Sequence, residues 1–182
     1  MTALVLPDLR WFPSWAETVT DFGEEFMHGS GAWNLDHRLT PTEECCKEFI
    51  DVLAERSTAD PDVEVVAGSG RVASTYFWIT AGDGGAEDEV IGFLNLRHEL
   101  NDWLREEGGH IGYSIRPARR RQGHARRALD LGVRRAGELG IDRVLVTCDT
   151  DNLASARTIE AGGGVFEDVR NGKRRYWITP PA

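Results

Sequence analysis

One stretch constrains the fold of this chain more than any other: residues 111–139, reading IGYSIRPARRRQGHARRALDLGVRRAGEL. It opens with Ile111, Tyr113 and Ile115 alternating with smaller residues, the pattern of a half-buried strand. Pro117 ends that ladder, because it has no N–H to give and holds Arg116 extended. Arg119, Arg120, Arg121, Gln122, Gly123 and His124 then make a short basic loop. From Ala125 the small and apolar positions Ala128, Leu129, Gly132, Ala136 and Leu139 recur at helical spacing. Arg126, Arg127, Arg134, Arg135 and Glu138 take the other side, so the helix is amphipathic with a basic face. Gly140 stands where a left-handed cap would close it.

A strand, a basic loop and a helix start form a phosphate-binding arrangement. The first N–H groups of a helix have no internal partner, and the aligned peptide dipoles put partial positive charge there. Phosphate oxygens can take those N–H groups if no side chain blocks them, and Gly123 and Ala125 leave that clearance. Arginines add charge-assisted hydrogen bonds. The three-glycine dinucleotide fingerprint and the Walker lysine are both missing, which argues against NAD and nucleoside triphosphates.

The run Arg120-x-x-Gly123-x-Ala125, preceded by Ile115-Arg116-Pro117, resembles the acetyl-CoA diphosphate loop of the GNAT acetyltransferase superfamily. The run RHELNDW followed by GGHIGYSIRP resembles a branch of that family described only as predicted acetyltransferases. Further on, Asp149-x-x-Asn152-x-x-Ser155 is similar to the family's asparagine-led helix after its fifth strand. The likeness is clear from about Ile91 to Ile178 and only architectural before that. It implies an α+β fold, with a mostly antiparallel mixed sheet of about six or seven strands and helices on both faces. It implies acetyl-CoA as cosubstrate and no metal. The diphosphate would lie on Arg120, Arg121, Gln122, Gly123, His124 and Ala125. The pantetheine arm would pair with the backbone of Tyr113, Ser114 and Ile115, with Asn152 as a further partner or merely a helix cap. One departure stands out: the family's tyrosine acid, seven residues after the asparagine, is Ile159 here. Ser155, as in the branch related to ribosomal-protein N-terminal acetyltransferases, or a water would take its place.

An attacking amine must lose a proton, so a base within reach is expected. His98, Glu99 and His110 flank the loop into the pantetheine strand and are the candidates, with Asp149 behind them. The same histidines could equally satisfy backbone groups. Trp33 and Trp103, in loops, are candidate pocket walls, and Glu24, Glu25, Asp36, Glu99 and Asp102 could receive a cationic amine.

Around this centre the chain reads as one domain over 1–182. A short edge strand at Leu4–Leu6 precedes a helix from Ser14 to Met27, capped by Ser14. A second helix starts at Thr40-Pro41. Ser57–Pro61 reads as a linker and Val63–Ala67 as a weak strand, ahead of a hairpin of Arg71–Thr80 with Glu89–Arg97. Leu100–Glu107 makes about one helical turn, Arg143–Cys148 is a buried strand, and a helix runs from about Asn152 to Ala161. Asn171-Gly172 turns a final hairpin.

Cys45, Cys46 and Cys148 lack zinc or disulfide-framework spacing, and no basic-then-apolar leader or membrane-length apolar run is present, so a cytoplasmic protein is expected. A net charge of −9 speaks against nucleic-acid binding, and no membrane partner is expected. The expected function is acetyl transfer from acetyl-CoA to an amine of a small molecule or protein, by a monomer or homodimer. A non-catalytic CoA-binding sensor or scaffold is the alternative.

Overall fold

A computed structural model describes residues 1–58, 60–66, 69–85 and 87–181, the side chains of 60–66 and 69 excepted. In chain order the elements are β1 (Ala3–Val5), α1 (Phe12–Phe22), α2 (Glu43–Arg56), β2 (Asp60–Val66), β3 (Ser69–Arg71), β4 (Ser74–Ala81) and β5 (Glu89–Arg97). Then follow β6 (Ile111–Ile115), α3 (His124–Glu138), β7 (Val144–Asp149), α4 (Leu153–Ala161), β8 (Val165–Arg170) and β9 (Lys173–Ile178). Seven strands form one sheet in the order β1-β4-β5-β6-β7-β9-β8, and β2 pairs with β3 separately. Every pair in the large sheet is antiparallel except β6 with β7, which is parallel.

The pleat divides the core in two. Tyr76 and Trp78 of β4 face α1 and α2, whereas Phe77 and Ile79 face α3 and α4. On β5 the alternation slips, because the β4 register jumps from Gly92 to Val90 and leaves Ile91 as a bulged residue. The α1–α2 side is aromatic: Trp15 stacks on Trp78 with centroids 6.2 Å apart, and Phe22 meets Phe93 at 5.9 Å. On the other side Ala128, Leu129, Val133 and Ala136 of α3 and Ile159 of α4 close over the sheet.

The local signals held best in the second half. Asn152 caps α4, its Oδ1 accepting the Ser155 N–H at 3.0 Å. Asn171 and Gly172, both at positive φ, turn β8 into β9. In the first half several boundaries move. Trp11 precedes α1, Pro13 sits in its first turn, and Ser14 instead ties the helix to β5 by accepting the Val90 N–H at 3.0 Å. Gly23, at φ +54, ends α1 five residues before Met27, and that leaves Phe26 exposed. Thr42, not Thr40, caps α2. The linker expected at Ser57–Pro61 already enters β2 at Asp60, while Ala67 lies outside the described residues. The turn after Leu100 is a wide π-type turn over Leu104–Gly108.

Candidate active site

The parallel contact between β6 and β7 is a single register pair, Ile111 with Val146, and beyond it the strands diverge. Arg97 donates its N–H to the His110 carbonyl at 2.8 Å, and Arg116 donates to Ile91 at 2.9 Å. By antiparallel alternation, Gly112 and Ser114 therefore direct their backbone groups to β5. Those of Tyr113 and Ile115 point the other way, into the opening beside β7. The opening belongs to a continuous cleft of about 1180 Å³ that runs from the loop before α3 across β6 to the α1–α2 connection.

At the phosphate-loop end, Gly123 takes φ +85 and leads into α3, whose first turn has no side-chain cap. Its N–H groups are thus open to an anion. The preceding segment is anchored to the α1 face. Arg116 is buried and pairs with Glu89, Asp21 and Glu17, and the Ala118 N–H bonds Asp21 at 2.9 Å. Arg119 is taken by Glu89. Arg120 spans the segment, its Nε donating to the Ile115 carbonyl at 2.9 Å and its Nη2 to Glu25 at 2.5 Å. Among the described residues Arg121, held at φ +60, and Arg126 form no ion pair, and both line the cleft. Of the residues expected here, Arg120, Arg121, Gly123, His124 and Ala125 line the cleft, and Gln122 does not. Its amide donates to the Ala118 carbonyl at 3.3 Å, and His124 Nδ1 is 2.8 Å from the Thr2 hydroxyl.

Tyr113, Ser114, Ile115, Asn152 and Ser155 all border the opening. The Tyr113 hydroxyl is buried and lies toward Ser155 and Thr158 without a hydrogen bond of normal geometry to either. Burial foremost, with Cys148 nearby, pushes its pKa up to about 12 against the opposing pull of Ser155 and Thr158.

The three base candidates fall elsewhere: His98, Glu99 and His110 are all absent from the cleft wall. His98 Nε2 is 2.8 Å from the Thr75 hydroxyl, and Glu99 is exposed. His110 is buried with Nδ1 accepting the Leu145 N–H at 2.9 Å, so Nε2 carries its proton and no lone pair remains for an amine. Burial, then Arg97 and Arg105, drive its pKa down to about 4. This corrects the role expected for His110: it joins β7 to the start of β6.

A different histidine lines the cleft. His28, on the α1–α2 connection, accepts the Ser114 hydroxyl at its carbonyl, 2.7 Å away. Gly29 lets this segment drape over β6, since a Cβ there would stand 2.2 Å from the Gly112 carbonyl oxygen. Burial lowers the His28 pKa, Asp149 acting against it and Lys173 with it, and both of these β7 and β9 residues line the same cleft. Phe26 meets the His28 ring edge-on at 4.6 Å and stacks with Trp33 at 6.3 Å. Trp33 and Trp103 both line the cleft. Of the acids expected to receive an amine, Glu25 alone lines it, and it is bound to Arg120. Asp149 likewise pairs with Lys173 at 2.5 Å. The chain around His28 carried one readable signal, the break His28-Gly29-Ser30-Gly31 between two helices, and it pointed to a turn only.

A model of the GNAT acetyltransferase domain matches residues 24–165, most of the chain. The protein belongs to the GNAT acetyltransferase family. This GNAT chain is also similar to solved acetyltransferase structures. Mycobacterium smegmatis RimJ, in complex with CoA-disulfide, is 18% identical with a TM-score of 0.64, over 98% of this chain and 81% of that one. The microcin C7 self-immunity acetyltransferase MccE, in complex with acetyl-CoA and AMP, is 16% identical with a TM-score of 0.60, over 98% and 92%. The Salmonella typhimurium enzyme that modifies the N-terminal serine of ribosomal protein L7/L12 is 17% identical with a TM-score of 0.58, over 98% and 94%. At these identities the likeness is one of fold. No curated protein sequence matches the chain. Among the described residues, no group of three or more His, Cys, Asp or Glu could hold a metal, and no helix is long and apolar enough to cross a membrane.

Proposed function

We propose that this GNAT domain, spanning 1–182, transfers an acetyl group from acetyl-CoA to a primary amine by direct attack in a ternary complex. The observation that carries the reading is the continuity of the cleft. A helix start without a side-chain cap, beside two arginines that form no ion pair among the described residues, leads into the opening where β6 and β7 diverge, and that opening leads to a histidine.

The residues fit acetyl-CoA. The first N–H groups of α3, with Arg121 and Arg126, would hold the diphosphate. The backbone groups of Tyr113 and Ile115 would pair with the pantetheine amides. Acetyl-CoA supplies an acetyl group already activated as a thioester. The Ile115 N–H would hold the oxygen on which negative charge builds. His28, neutral at pH 7 because burial lowers its pKa, takes the proton of the incoming amine. Tyr113 stays protonated at working pH, and its hydroxyl, which makes no hydrogen bond to a described residue, is left to donate one to the departing sulfur. Its raised pKa lies well above that of a thiol at ~8.5, so a full proton transfer from it would be uphill, and Tyr113 stabilises charge rather than serving as a strong acid. This arrangement answers the missing tyrosine at Ile159, which is buried in the core under α3.

Release of free thiol from acetyl-CoA on addition of an amine tests the reading directly. Binding of acetyl-CoA without turnover of any amine would favour the sensor alternative instead. Within the reading, replacing Arg121 and Arg126 together with alanine raises the KM for acetyl-CoA by about tenfold while leaving kcat nearly constant, the loss of two charge-assisted contacts to phosphate. Initial rates at varied acetyl-CoA check it, and an unchanged KM would remove both arginines from the site.

A further inference from the structure

The end of the cleft farthest from the phosphate loop is built unlike the rest. Its floor is one face of three adjacent strands. Ser74 and Tyr76 of β4 lie opposite Arg97 and Asn95 of β5, and Asn95 lies opposite Gly112 of β6. All five line the cleft. Arg97 is mostly buried there. Its Nη1 spends both hydrogens on the Gly108 and Gly109 carbonyls, each 3.0 Å away. Its Nε and Nη2 make no hydrogen bond to any described residue and are not among the sealed polar atoms, so they open on the cleft. No described carboxylate lies within ion-pair distance of Arg97. Of the cleft's three acids, Glu25 is held by Arg120 and Asp149 by Lys173, and Glu107 makes no ion pair with any described residue.

That free pair of donors is the side-on edge of the guanidinium, the fork that grips a carboxylate with two parallel N–H bonds. The surroundings favour an anion further. Arg97, Arg71 and Arg56 all act on the Tyr76 hydroxyl as positive charges, in a protein whose net charge is −9. The Tyr76 oxygen accepts from Asn34 at 3.4 Å, which leaves its own hydrogen to donate. A carboxylate on that edge adds two charge-assisted hydrogen bonds to a guanidinium whose other end is already fixed by the Gly108 and Gly109 carbonyls.

We infer that this pocket binds a carboxylate on the acceptor, so that the acceptor is an amino-carboxylate held by Arg97 at one end and presented to the opening at the other. The inference rests on the acetyl-transfer reading for the amine and on the Arg97 geometry for the carboxylate. The strand sets the length. A Cβ on Gly112 would lie 3.9 Å from Arg97 Nη2. Ile115 is three residues further along β6, or about 10 Å at strand rise. Amine and carboxylate on one carbon are too close to satisfy both ends. A straight-chain ω-amino acid or the free amine of a short peptide spans the distance, and the exposed rings of Phe26 and Trp33 provide an apolar wall between.

The test pairs acceptors that differ only in the carboxylate: ε-aminocaproate against hexylamine, and glycylglycylglycine against its C-terminal amide. Each is titrated calorimetrically into the protein, alone and saturated with CoA. The expected result is that the carboxylate member binds about tenfold more tightly in at least one pair, and which pair responds separates a free ω-amino acid from a peptide. In Arg97→Gln that preference disappears while acetyl-CoA still binds, which shows the variant folded. Arg97→Lys, which keeps the charge but loses the fork, retains a reduced preference. Equal affinity within both pairs in the wild-type protein overturns the inference, as does a preference that survives intact in Arg97→Gln. A wild-type protein that shows the carboxylate preference but does not bind acetyl-CoA would overturn the acetyl-transfer reading instead and leave the carboxylate pocket standing.

Discussion

His28→Ala lowers kcat on the order of a hundredfold at pH 7, the usual contribution of a positioned base to proton transfer. The argument is geometric first. His28 lines the cleft together with Asp149 and Lys173, and is joined through its carbonyl to Ser114 on β6. The pH dependence supplies the sign. Burial, the largest influence, moves the His28 pKa below its ordinary 6.5, so the neutral base form dominates at and above neutrality. Wild-type kcat should therefore fall as pH drops through a value below 6.5. In the alanine variant that acidic limb vanishes, and the rate instead climbs toward the pKa of the amine itself. Added imidazole should restore part of the loss, and the KM for acetyl-CoA should hold. A variant with the wild-type pH–rate profile would remove His28 from the mechanism.

Gly29→Ala has a comparable effect for a mechanical reason. Gly29 lies at φ +78, and an added Cβ would come within 2.2 Å of the Gly112 oxygen and 3.0 Å of the Tyr113 Cα. Both contacts are backbone, so neither can rotate away. The α1–α2 connection must lift off β6 and carry His28 with it. Strain in the left-handed region adds roughly 1–2 kcal/mol. Activity on an amine should drop by about a hundredfold or more, because a small misplacement of a catalytic group is that costly. Acetyl-CoA binding, which uses the other end of the cleft, should persist. Gly163→Ala is the control: it has similar strain at φ +90 but nothing within 4 Å of the new Cβ, and lies off the cleft. It should lower the melting temperature by a few degrees and spare activity. If the two variants lose activity equally, strain alone explains both and the draped segment is not what holds His28.

The two sites reached by these variants show where sequence reasoning stops. Residues 111–139 form a strand, loop and helix that are local in sequence, so the punctuation of Pro117, Gly123 and Gly140 sufficed to read them. Asn152 and the Asn171-Gly172 turn were legible for the same reason. The catalytic side was not, because it is assembled from distant segments. His98 and His110 were attractive through their chain proximity to β6. The non-extended backbone at Gly109, φ +64, lets His110 bond its N–H and its ring to Leu145 on β7. His28 is 86 residues from its hydrogen-bond partner Ser114, and only the clearance at Gly29 brings it there. Arg97 did leave a trace. Asn95 and Arg97 are polar residues two apart at the end of the apolar run 90–96 of β5, and period-two spacing places them on one face. What the pattern could not say is that the face would be a cleft floor, with β4 supplying Tyr76 across the register.

The central claim is that the opening between β6 and β7, continued by the start of α3, is an acetyl-CoA site. Calorimetric titration of the wild-type protein with acetyl-CoA tests it most directly. The account predicts saturable micromolar binding with one molecule per chain, weakened when Arg121 and Arg126 are both replaced by alanine. No binding at millimolar acetyl-CoA, with the protein folded by circular dichroism, would contradict it and leave the fold without its proposed function.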